Sequence, residues 1–390
     1  MNSIYLRKLL NLFNYFLLNV LLALLKRKRY EIKSNTLLLI RLDSIGDYVL
    51  FRNFLEWVKE SKKYNNYNIT LCGNIIWKDL AETFDRDYVN DFIWLNRKKF
   101  YSNLKYKFQL LKNINKSGYE TVIDTTYGRE ILYGDAIVRA SGAKVKIGST
   151  GSQEKHVSWK RKMLTDKYYT KLIPAANENI FEFLRNKEFF ELLLDKKLNI
   201  KQPQIGFSRL SKYEGLPNKY CLVFPGSNDQ NRRWSVSNYA EICEHLISKF
   251  GMLVVIPLGG GEKYISDEIG KIVKSKKLID LSGKCSLTEL AAIIADSEIV
   301  ISNDTAAVHI AAAVGKRFLC ISNGSYFGRF LPYPKNIFSK ANYIFPDEIM
   351  KDLEAFENSV SKWQFNSPFD INSITVTKVK EKIKDIMGEK

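Results

Sequence analysis

Residues 299–322, IVISNDTAAVHIAAAVGKRFLCIS, decide the fold of the second half of this chain. An apolar run of strand length precedes a polar turn, and a helix of small residues then leads into a second apolar run. This strand–helix–strand order predicts a parallel sheet covered by helices. The helix begins near Asp304 and Thr305, where unpaired backbone N–H groups either bind an anion or are capped by a side chain. The stretch alone does not decide between an anion site and a cap.

The same alternation of apolar runs and helical periods fills both halves of the chain. It starts at TLLLIRL, residues 36–42, and again at YCLVFPGS, residues 220–227. Residues 200–218 carry two prolines and no helical period, which places a domain boundary there. We therefore predict an α/β protein with two Rossmann-like, doubly wound domains that face a cleft. Its predicted parts are an N-terminal segment 1–33, a first domain 34–205, a second domain 206–345, and a C-terminal helical segment 346–390 that packs back across the domains. Residues 149–170 are polar and basic, and we expect a surface loop there.

The composition indicates a basic globular protein. Hydrophobic residues make up 45% of the 390, and Lys plus Arg exceed Asp plus Glu by 60 to 42, a net charge of +18. Such an excess suits anionic partners, although the lysine-rich composition typical of AT-rich genomes explains it equally well. The five cysteines are scattered and the three histidines isolated, so we expect neither disulfides nor a metal site. A nucleic-acid partner is not expected, because no basic helix or aromatic RNA-binding platform is visible.

The N-terminal stretch LRKLLNLFNYFLLNVLLALLKRKRY, residues 6–30, is apolar with basic residues at both ends. No small-residue cleavage site follows it, so a cleaved signal peptide is not expected. On a helix, its polar residues gather on one side together with three leucines: Arg7, Lys8, Asn11, Asn14, Asn19 and Lys26, with Leu18, Leu22 and Leu25. We predict a helix that lies in the membrane interface with its basic end at anionic headgroups. A membrane span over residues 8–25 and a helix docked on the protein itself are the alternatives.

Two aspartates flank the loop after the first predicted strand, in RLDSIGDYV at residues 41–49. Gly46 permits a tight turn into the next helix, and Asp47 is placed to cap that helix. Asp43 and Asp47 also follow the carboxyl end of a parallel strand, where ligands bind in folds of this class. Because a carboxylate there can accept a proton from an attacking hydroxyl group, both are candidate catalytic residues.

The second domain carries a candidate phosphate site in FPGSNDQNRRWS, residues 224–235. Gly226 and Ser227 follow a strand and offer backbone N–H groups, while Arg232 and Arg233 offer paired guanidinium groups. Arginine forms bidentate bonds to phosphate oxygens, so this loop suits a pyrophosphate. A solvated basic loop is the alternative.

Two further features belong to the same domain. The loop PLGGGEKY, residues 257–264, matches neither GxGxxG nor a P-loop, so a dehydrogenase or an ATPase is not predicted. Glu262 in this loop suits either a ribose hydroxyl or simply the start of a helix. His309 lies one turn into the small-residue helix, where it is either a core residue or a ligand contact.

Taken in order, these motifs resemble those of glycosyltransferase family 9, the lipopolysaccharide heptosyltransferase family, over about residues 36–335. The resemblance is carried by LLLIRLDSIGDYVL (37–50), by FPGSNDQNRRWS (224–235) and by LIDLSGKCSLTELAAIIADSEIVISNDTAAVHIAAAVGK (278–316). It implies a GT-B fold in which the first domain binds the acceptor and the second binds a nucleotide-sugar donor. It also implies an inverting reaction that needs no metal and no cofactor.

The resemblance implies roles for single residues as well. Asp47 matches the aspartate taken as the general base, and Asp43 stands where serine is frequent, as a second candidate. Arg232 replaces a lysine that contacts the donor phosphates. Asp304, Thr305 and His309 match a donor motif in which Ala306 replaces glycine. The predicted donor-binding residues are Gly226, Ser227, Arg232, Arg233, Glu262, Asp304, Thr305, Ala306 and His309.

The expected function is transfer of heptose or a similar sugar from a nucleotide-sugar, such as ADP-heptose, to a lipopolysaccharide core or another anionic lipid-linked glycan. The expected location is the inner face of the cytoplasmic membrane, with peripheral attachment through the N-terminal helix. A non-catalytic, membrane-associated nucleotide-sugar-binding protein is the alternative.

Overall fold

The fold is described from a computed structural model of the chain. It describes residues 3–26, 30–152, 155–175, 179–206, 210–353, 355–356 and 367–388, without the side chains of residues 3–5, 7, 8, 26 and 155–157. The chain divides into two compact units. The first unit contains residues 1–177 and 184–199, and the second contains residues 178–183 and 200–390. Each unit is described by itself.

The first unit is a parallel sheet with helices before, between and after its strands, and the last helix, α9, enters the unit at Leu184. Within the described residues its six strands lie in the order β3-β2-β1-β4-β5-β6. These strands are β1 (Lys33–Arg41), β2 (Asn68–Asn74), β3 (Asp91–Leu95), β4 (Tyr119–Asp124), β5 (Val145–Ser149) and β6 (Lys171–Ile173). The helices are α1 (Ser3–Lys26), α2 (Ile45–Phe51), α3 (Phe54–Glu60), α4 (Lys78–Phe84), α5 (Arg97–Ser102), α6 (Leu104–Ser117), α7 (Gly134–Ala140), α8 (Lys155–Leu164) and α9 (Glu182–Leu194).

Strand β1 lies at the centre of this sheet because its apolar run can be buried on both faces. Residues 37–40 of the run have no exposed surface. In the parallel register Leu38 is paired with Thr70 of β2 on one side and with Val122 of β4 on the other. The strand order reverses between β1 and β4, so the loops after these two strands border the crevice where such sheets bind ligands.

The second unit repeats this strand order. Its described strands form a six-stranded parallel sheet, β12-β11-β10-β7-β8-β9, which reverses between β7 and β10. The strands are β7 (Tyr220–Phe224), β8 (Leu253–Ile256), β9 (Leu278–Asp280), β10 (Val300–Asn303), β11 (Phe318–Ile321) and β12 (Ala341–Ile344). The helices are α10 (Val236–Phe250), α11 (Lys263–Val273), α12 (Leu287–Asp296), α13 (Ala306–Ala313), α14 (Asp347–Lys351) and α15 (Val376–Met387). The predicted doubly wound α/β architecture is confirmed for each unit.

The C-terminal helix α15 belongs to the core of the second unit. It packs against α10, and its residues Val379 and Ile383 are completely buried. They join a cluster that also contains Trp234, whose indole Nε1 donates to the carbonyl oxygen of Ile374 at 2.9 Å. The helix therefore covers one face of this sheet next to the loop that precedes α10.

Helix α1 docks on the first unit with the side that carries its asparagines. Leu18, Leu22 and Leu25 are buried in that unit's core. Three asparagines on the same side form hydrogen bonds to the unit: Asn11 Oδ1 accepts from Tyr101 Oη at 2.9 Å, Asn14 Oδ1 from Lys107 Nζ at 3.3 Å, and Asn19 Oδ1 from Arg139 Nη1 at 2.5 Å. No helix among the described residues is both long enough and apolar enough to cross a membrane.

The side of α1 that faces away from the protein is apolar. Eight of its large hydrophobic residues are between 44% and 66% exposed: Leu6, Leu9, Leu10, Leu12, Phe13, Phe16, Val20 and Leu24. Docking of this helix on the protein was the least favoured of the sequence alternatives. The structure shows such docking for the side of α1 that carries the asparagines. The other side is an uncovered apolar surface in this chain.

Three local expectations need correction. Residues 155–164, expected in a loop, form the helix α8. Helix α2 starts at Ile45 with Ser44 at its N-cap position, so Asp47 lies inside the first turn and is not the cap. The short strands β6 and β12 were not predicted, because each has only three or four residues and lies at the edge of its sheet.

Candidate functional site

In the second unit, Asn303 organises the loop that follows β7. Its Nδ2 donates to the carbonyl oxygens of Pro225 and Gly226 at 2.7 and 3.2 Å. Its Oδ1 accepts from Tyr239 Oη at 2.9 Å and from the backbone N–H of Trp234 at 3.2 Å. Asn303 is completely buried at the end of β10. Its side chain therefore connects the loop after β7 to β10 by hydrogen bonds.

Gly226, Ser227, Arg233 and Glu262 form one braced turn. Glu262 Oε1 accepts from the Ser227 N–H at 3.0 Å and from Arg233 Nη2 at 3.2 Å. A side chain on residue 226 has no room, because its Cβ would lie 2.5 Å from Glu262 Oε2. Arg233 also donates from Nε to the Ser227 carbonyl oxygen and from Nη1 to Tyr264 Oη, both at 2.6 Å. The guanidinium group of Arg233 is thus held by bonds within the protein.

Arg232 is held much more loosely than Arg233. Its Nη1 lies 3.5 Å from Asp304 Oδ2 and 3.4 Å from the Asp304 carbonyl oxygen, and its Nε lies 3.8 Å from Asp229 Oδ2. The two arginine side chains are equally exposed, at 22%. Burial raises the pKa of Asp304, and the positive charge of Arg232 opposes that rise. The pair places a partly exposed guanidinium group beside the start of α13, where it can bind an anion.

The start of α13 resolves the question raised by its sequence. Thr305 is the N-cap: its Oγ1 accepts from the Ala307 N–H at 3.3 Å and lies 3.1 Å from Ser302 Oγ. Asp304 is buried, whereas Thr305 and Ala306 are half-buried at the mouth of the helix. A capped helix start still leaves N–H groups of the first turn unpaired within the helix. The cap is therefore observed, and anion binding at this helix start stays a prediction.

His309 lies four residues into α13 and is neutral at physiological pH. Its Nδ1 is 2.7 Å from Tyr333 Oη. Burial and the nearby charge of Arg232 together lower the pKa of His309 to about 4, although Glu182 opposes this shift. The backbone N–H of Tyr333 in turn donates to Tyr343 Oη at 2.7 Å. The imidazole is therefore fixed as a neutral group with a defined partner.

In the first unit, Asp43 is engaged by a buried arginine. Arg41 Nε lies 2.9 Å from Asp43 Oδ2, and Arg41 Nη1 donates to Asn186 Oδ1 at 2.9 Å. The Asp43 carbonyl oxygen accepts from Asn74 Nδ2 and from Trp77 Nε1, each at 3.2 Å. These contacts fix both the carboxylate and the backbone of Asp43 just beyond the end of β1.

Asp47 is half-buried in the first turn of α2, close to the carboxyl end of β1. The helix beneath it is anchored by a buried network in which Tyr48 Oη donates to Asp85 Oδ2 and Arg52 Nη2 donates to Asp85 Oδ1 at 2.6 Å. The ring of Tyr48 also stacks on Trp77, with centroids 4.2 Å apart. The rigid base of α2 sets the direction of its first turn, so the position of Asp47 is well defined.

The predicted donor residues of the second unit all follow the carboxyl ends of its strands, in loops or in helix α13. They are Gly226, Ser227, Arg232, Arg233, Glu262, Asp304, Thr305, Ala306 and His309. Asp43 and Asp47 lie at the corresponding edge of the first sheet. Sequence reasoning missed Asn303 and Tyr333, although Asn303 stands directly before the singled-out Asp304. Among the described residues, no group of three or more His, Cys, Asp and Glu side chains could hold a metal ion.

The comparison with protein families settles the class of this chain. The model of glycosyltransferase family 9 (heptosyltransferase) matches residues 107–348, more than half of the chain. The chain belongs to glycosyltransferase family 9. The family predicted from the motifs is therefore confirmed, and this glycosyltransferase is an enzyme of the class that the resemblance implied.

Relatives of this glycosyltransferase carry related names. Lipopolysaccharide heptosyltransferase 1 of Campylobacter coli is 24% identical over 368 residues, which cover 90% of this chain and 98% of the relative. Lipopolysaccharide heptosyltransferase 3 of Escherichia coli K12 is 24% identical over 254 residues, or 62% of this chain and 70% of the relative. The solved structure of E. coli heptosyltransferase WaaC with ADP-2-deoxy-2-fluoro heptose has a TM-score of 0.65 at 16% identity, covering 90% of this chain and 99% of that one. At this identity the structural likeness concerns the fold.

Proposed function

We propose that this family 9 enzyme is an inverting, metal-independent heptosyltransferase. It would move heptose or a similar sugar from a nucleotide-sugar donor to a lipopolysaccharide core or another anionic lipid-linked glycan. The observation that carries the proposal is the loosely held guanidinium of Arg232 beside the capped start of α13, because this pair suits a diphosphate. The names of the relatives and the ADP-heptose analogue in the WaaC structure support ADP-heptose as the donor.

The proposed donor site uses the predicted residues in two ways. Arg232, Thr305 and Ala306 face the diphosphate, and His309 contacts the donor as a neutral ring. Asp304 holds Arg232 in place through its buried carboxylate. Gly226, Ser227, Arg233 and Glu262 shape the turn on which the nucleoside rests, with Glu262 also close enough to the turn's surface to reach a ribose hydroxyl. The bonds within this turn support a preformed site.

The proposed reaction is a single displacement at the anomeric carbon. An acceptor hydroxyl oxygen forms the new bond to that carbon while the bond to the diphosphate oxygen breaks on the opposite face. Asp47 takes the hydroxyl proton, and Arg232 with the first N–H groups of α13 stabilises the negative charge on the departing diphosphate. Asp43 is held by Arg41 and keeps the loop before Asp47 in place.

We further propose that the enzyme is attached peripherally to the inner face of the cytoplasmic membrane through α1. Its outward side carries eight exposed large hydrophobic residues, while its asparagines are bonded to the protein. An amphipathic helix of this kind lies in the interface with its apolar side in the acyl boundary. The net charge of +18 favours an anionic surface and a phosphorylated glycolipid acceptor.

Thermal shift with nucleotides tests the donor site. ADP and ADP-heptose are expected to raise the melting temperature of the full chain, whereas UDP and GDP are expected to do so less, and Arg232→Ala should abolish the ADP effect. Failure of every nucleoside diphosphate and nucleotide-sugar to stabilise the protein would rule out the donor site as drawn.

Vesicle flotation tests the membrane contact separately. The double substitution Phe13→Glu and Phe16→Glu places two charges on the outward side of α1 and should prevent flotation with anionic vesicles. Ile272→Glu changes a residue with similar exposure on α11 and serves as the matched control. Equal flotation of the α1 variant and the control would contradict attachment through α1.

A further inference from the structure

A second uncovered apolar feature of the first unit lies on helix α8. Trp159 and Met163 are 48% and 64% exposed. They are four residues apart, so on a helix they project from the same side, one turn from each other. Neither takes part in the reaction described above.

Helix α8 is firmly seated on its other side, so the exposure of these two residues is not the result of a loose helix. Arg161 points inward and is buried, and its Nη2 donates to the carbonyl oxygens of Thr150, at 3.2 Å, and of Ser152. Ser158 is buried on the same inward side. The helix therefore has one face bonded to the protein and one face that presents a tryptophan and a methionine.

The charged side chains that the structure describes on α8 have one sign, and Asp166 in the turn after the helix is paired with Arg129. Lys160 and Lys162 are exposed, and Lys160 Nζ lies 5.5 Å from the centre of the Trp159 ring. The helix sequence KHVSWKRKML contains no acidic residue. An exposed aromatic ring next to lysines and without acids is complementary to a surface of anionic headgroups above an apolar layer.

Helix α8 is also connected to α1. The turn after α8 carries Tyr168, whose Oη accepts from Arg139 Nη1 at 3.0 Å. The same Arg139 nitrogen donates to Asn19 Oδ1 of α1 at 2.5 Å. One arginine on α7 thus bonds to α1 and to the segment that ends α8, which places the two helices around a common anchor.

We infer that α8 is a second contact of this enzyme with the anionic lipid bilayer, in which Trp159 and Met163 enter the interface and Lys160 and Lys162 pair with lipid phosphates. The inference rests on the proposed membrane attachment and adds to it. A single helix fixes where a protein is attached, whereas two joined contacts also fix how the first unit is oriented toward the surface. The occupant of the α8 face is the bilayer itself.

Binding of the full chain to vesicles of stated composition tests this contact. With vesicles containing about 30% anionic phospholipid, Trp159→Ala combined with Met163→Ala is expected to weaken binding about tenfold, with α1 intact. The matched control combines Ile272→Ala and Met350→Ala, two residues of similar exposure in the second unit, and should bind as the unaltered chain does. Tryptophan fluorescence of the unaltered chain should be quenched by lipids brominated near the headgroup, and Trp159→Phe should remove most of that quenching.

The outcomes are distinguishable. If the α8 variant binds vesicles like the control and Trp159→Phe leaves the quenching unchanged, the bilayer contact of α8 is overturned while attachment through α1 stands. If the variant binds vesicles normally but raises KM for a detergent-solubilised acceptor, α8 contacts the acceptor and the inference is again overturned. If the unaltered chain does not bind vesicles, the membrane part of the proposed function fails as well, whereas the nucleotide experiments are unaffected.

Discussion

The Nε atom of Arg41 lies 2.9 Å from Oδ2 of Asp43, and the guanidinium group of Arg41 is completely buried. Asp43 lies in the loop after β1, whereas Asp47 lies in the first turn of α2. Removing one partner of a buried pair leaves an uncompensated charge, which costs about 3 kcal/mol or more. Asp43→Ala is therefore expected to lower the free energy of unfolding by about that amount. Thermal or urea denaturation measures it.

Asp47→Ala is the matched substitution for this experiment. Asp47 is half-buried on the first turn of a helix anchored from below, so its removal should change the free energy of unfolding by about 1 kcal/mol or less. Equal destabilisation by the two substitutions would contradict the structural role of Asp43.

The adjacent arginines of the donor loop are expected to behave differently. Arg232→Ala should raise KM for the donor by about tenfold or more, because it removes the guanidinium group proposed to bind the diphosphate. Arg233→Ala should chiefly lower the melting temperature, because three of its nitrogens brace the turn. Steady-state kinetics and melting curves of both variants are compared; the reverse pattern would mean that Arg233 is the phosphate ligand.

Ala306 stands where the donor motif of the resemblance has glycine. It is half-buried at the mouth of α13, so its methyl group borders the proposed diphosphate position. Ala306→Val should weaken ADP binding more than about tenfold by filling that space, whereas Ala306→Gly should keep the affinity within about threefold and lower helix stability by about 1 kcal/mol. Isothermal titration with ADP measures the affinity of both variants, and thermal denaturation measures the change in stability. Unchanged affinity in the valine variant would place the diphosphate elsewhere.

Two carboxylates buried together in the first unit make its stability depend on pH. Burial and the neighbouring Asp135 together raise the pKa of Asp124 to about 7, although a hydrogen bond from Thr126 opposes this shift. Because the folded state holds this proton more tightly than the unfolded state, the associated stability is present below about pH 4 and is lost as the pH rises through about 7. The Asp124 carboxylate packs against Gly134, which has no side chain. A Cβ at residue 134 would clash with Asp124 Oδ2.

Asp124→Asn removes this titration without changing the size of the side chain. The variant should melt at a higher temperature than the unaltered chain at pH 8, and its melting temperature should vary less between pH 5 and 8. Melting curves across that range measure the effect. Parallel curves for the two proteins would show that Asp124 does not titrate there.

The regular parts of the fold could be predicted because they depend on local pattern. The sequence shows the continuous apolar runs that form β1 and β10, and it shows the small residues that form α13. Helix α8 could not be predicted in the same way, because it has few apolar residues and Arg161 seats it on carbonyl groups of residues 150 and 152. Docking of α1 on the protein was the least favoured sequence alternative, since asparagines that bond to the protein look, in the sequence, like a solvated face.

The candidate site was predictable in its members but not in their connections. Asp304, Thr305 and the paired arginines stand out in the sequence through their positions after strands. The different roles of Arg232 and Arg233 depend on Glu262. This residue is 29 positions from Arg233 in the chain and accepts a hydrogen bond from its Nη2. Asn303 bonds to residues 64 to 78 positions away in the chain. Tyr333 bonds to His309, which is 24 positions away, and no local sequence pattern marks either residue.

The central claim is that Asp47 is the general base of a donor-dependent glycosyl transfer. The most direct test is the rate of sugar transfer from ADP-heptose to a heptose-deficient lipopolysaccharide acceptor, catalysed by the purified chain and by Asp47→Asn. The account predicts that Asp47→Asn lowers kcat by about 10²–10⁴-fold while KM for the donor stays within about threefold. A variant that keeps more than about a tenth of the unaltered kcat would contradict it.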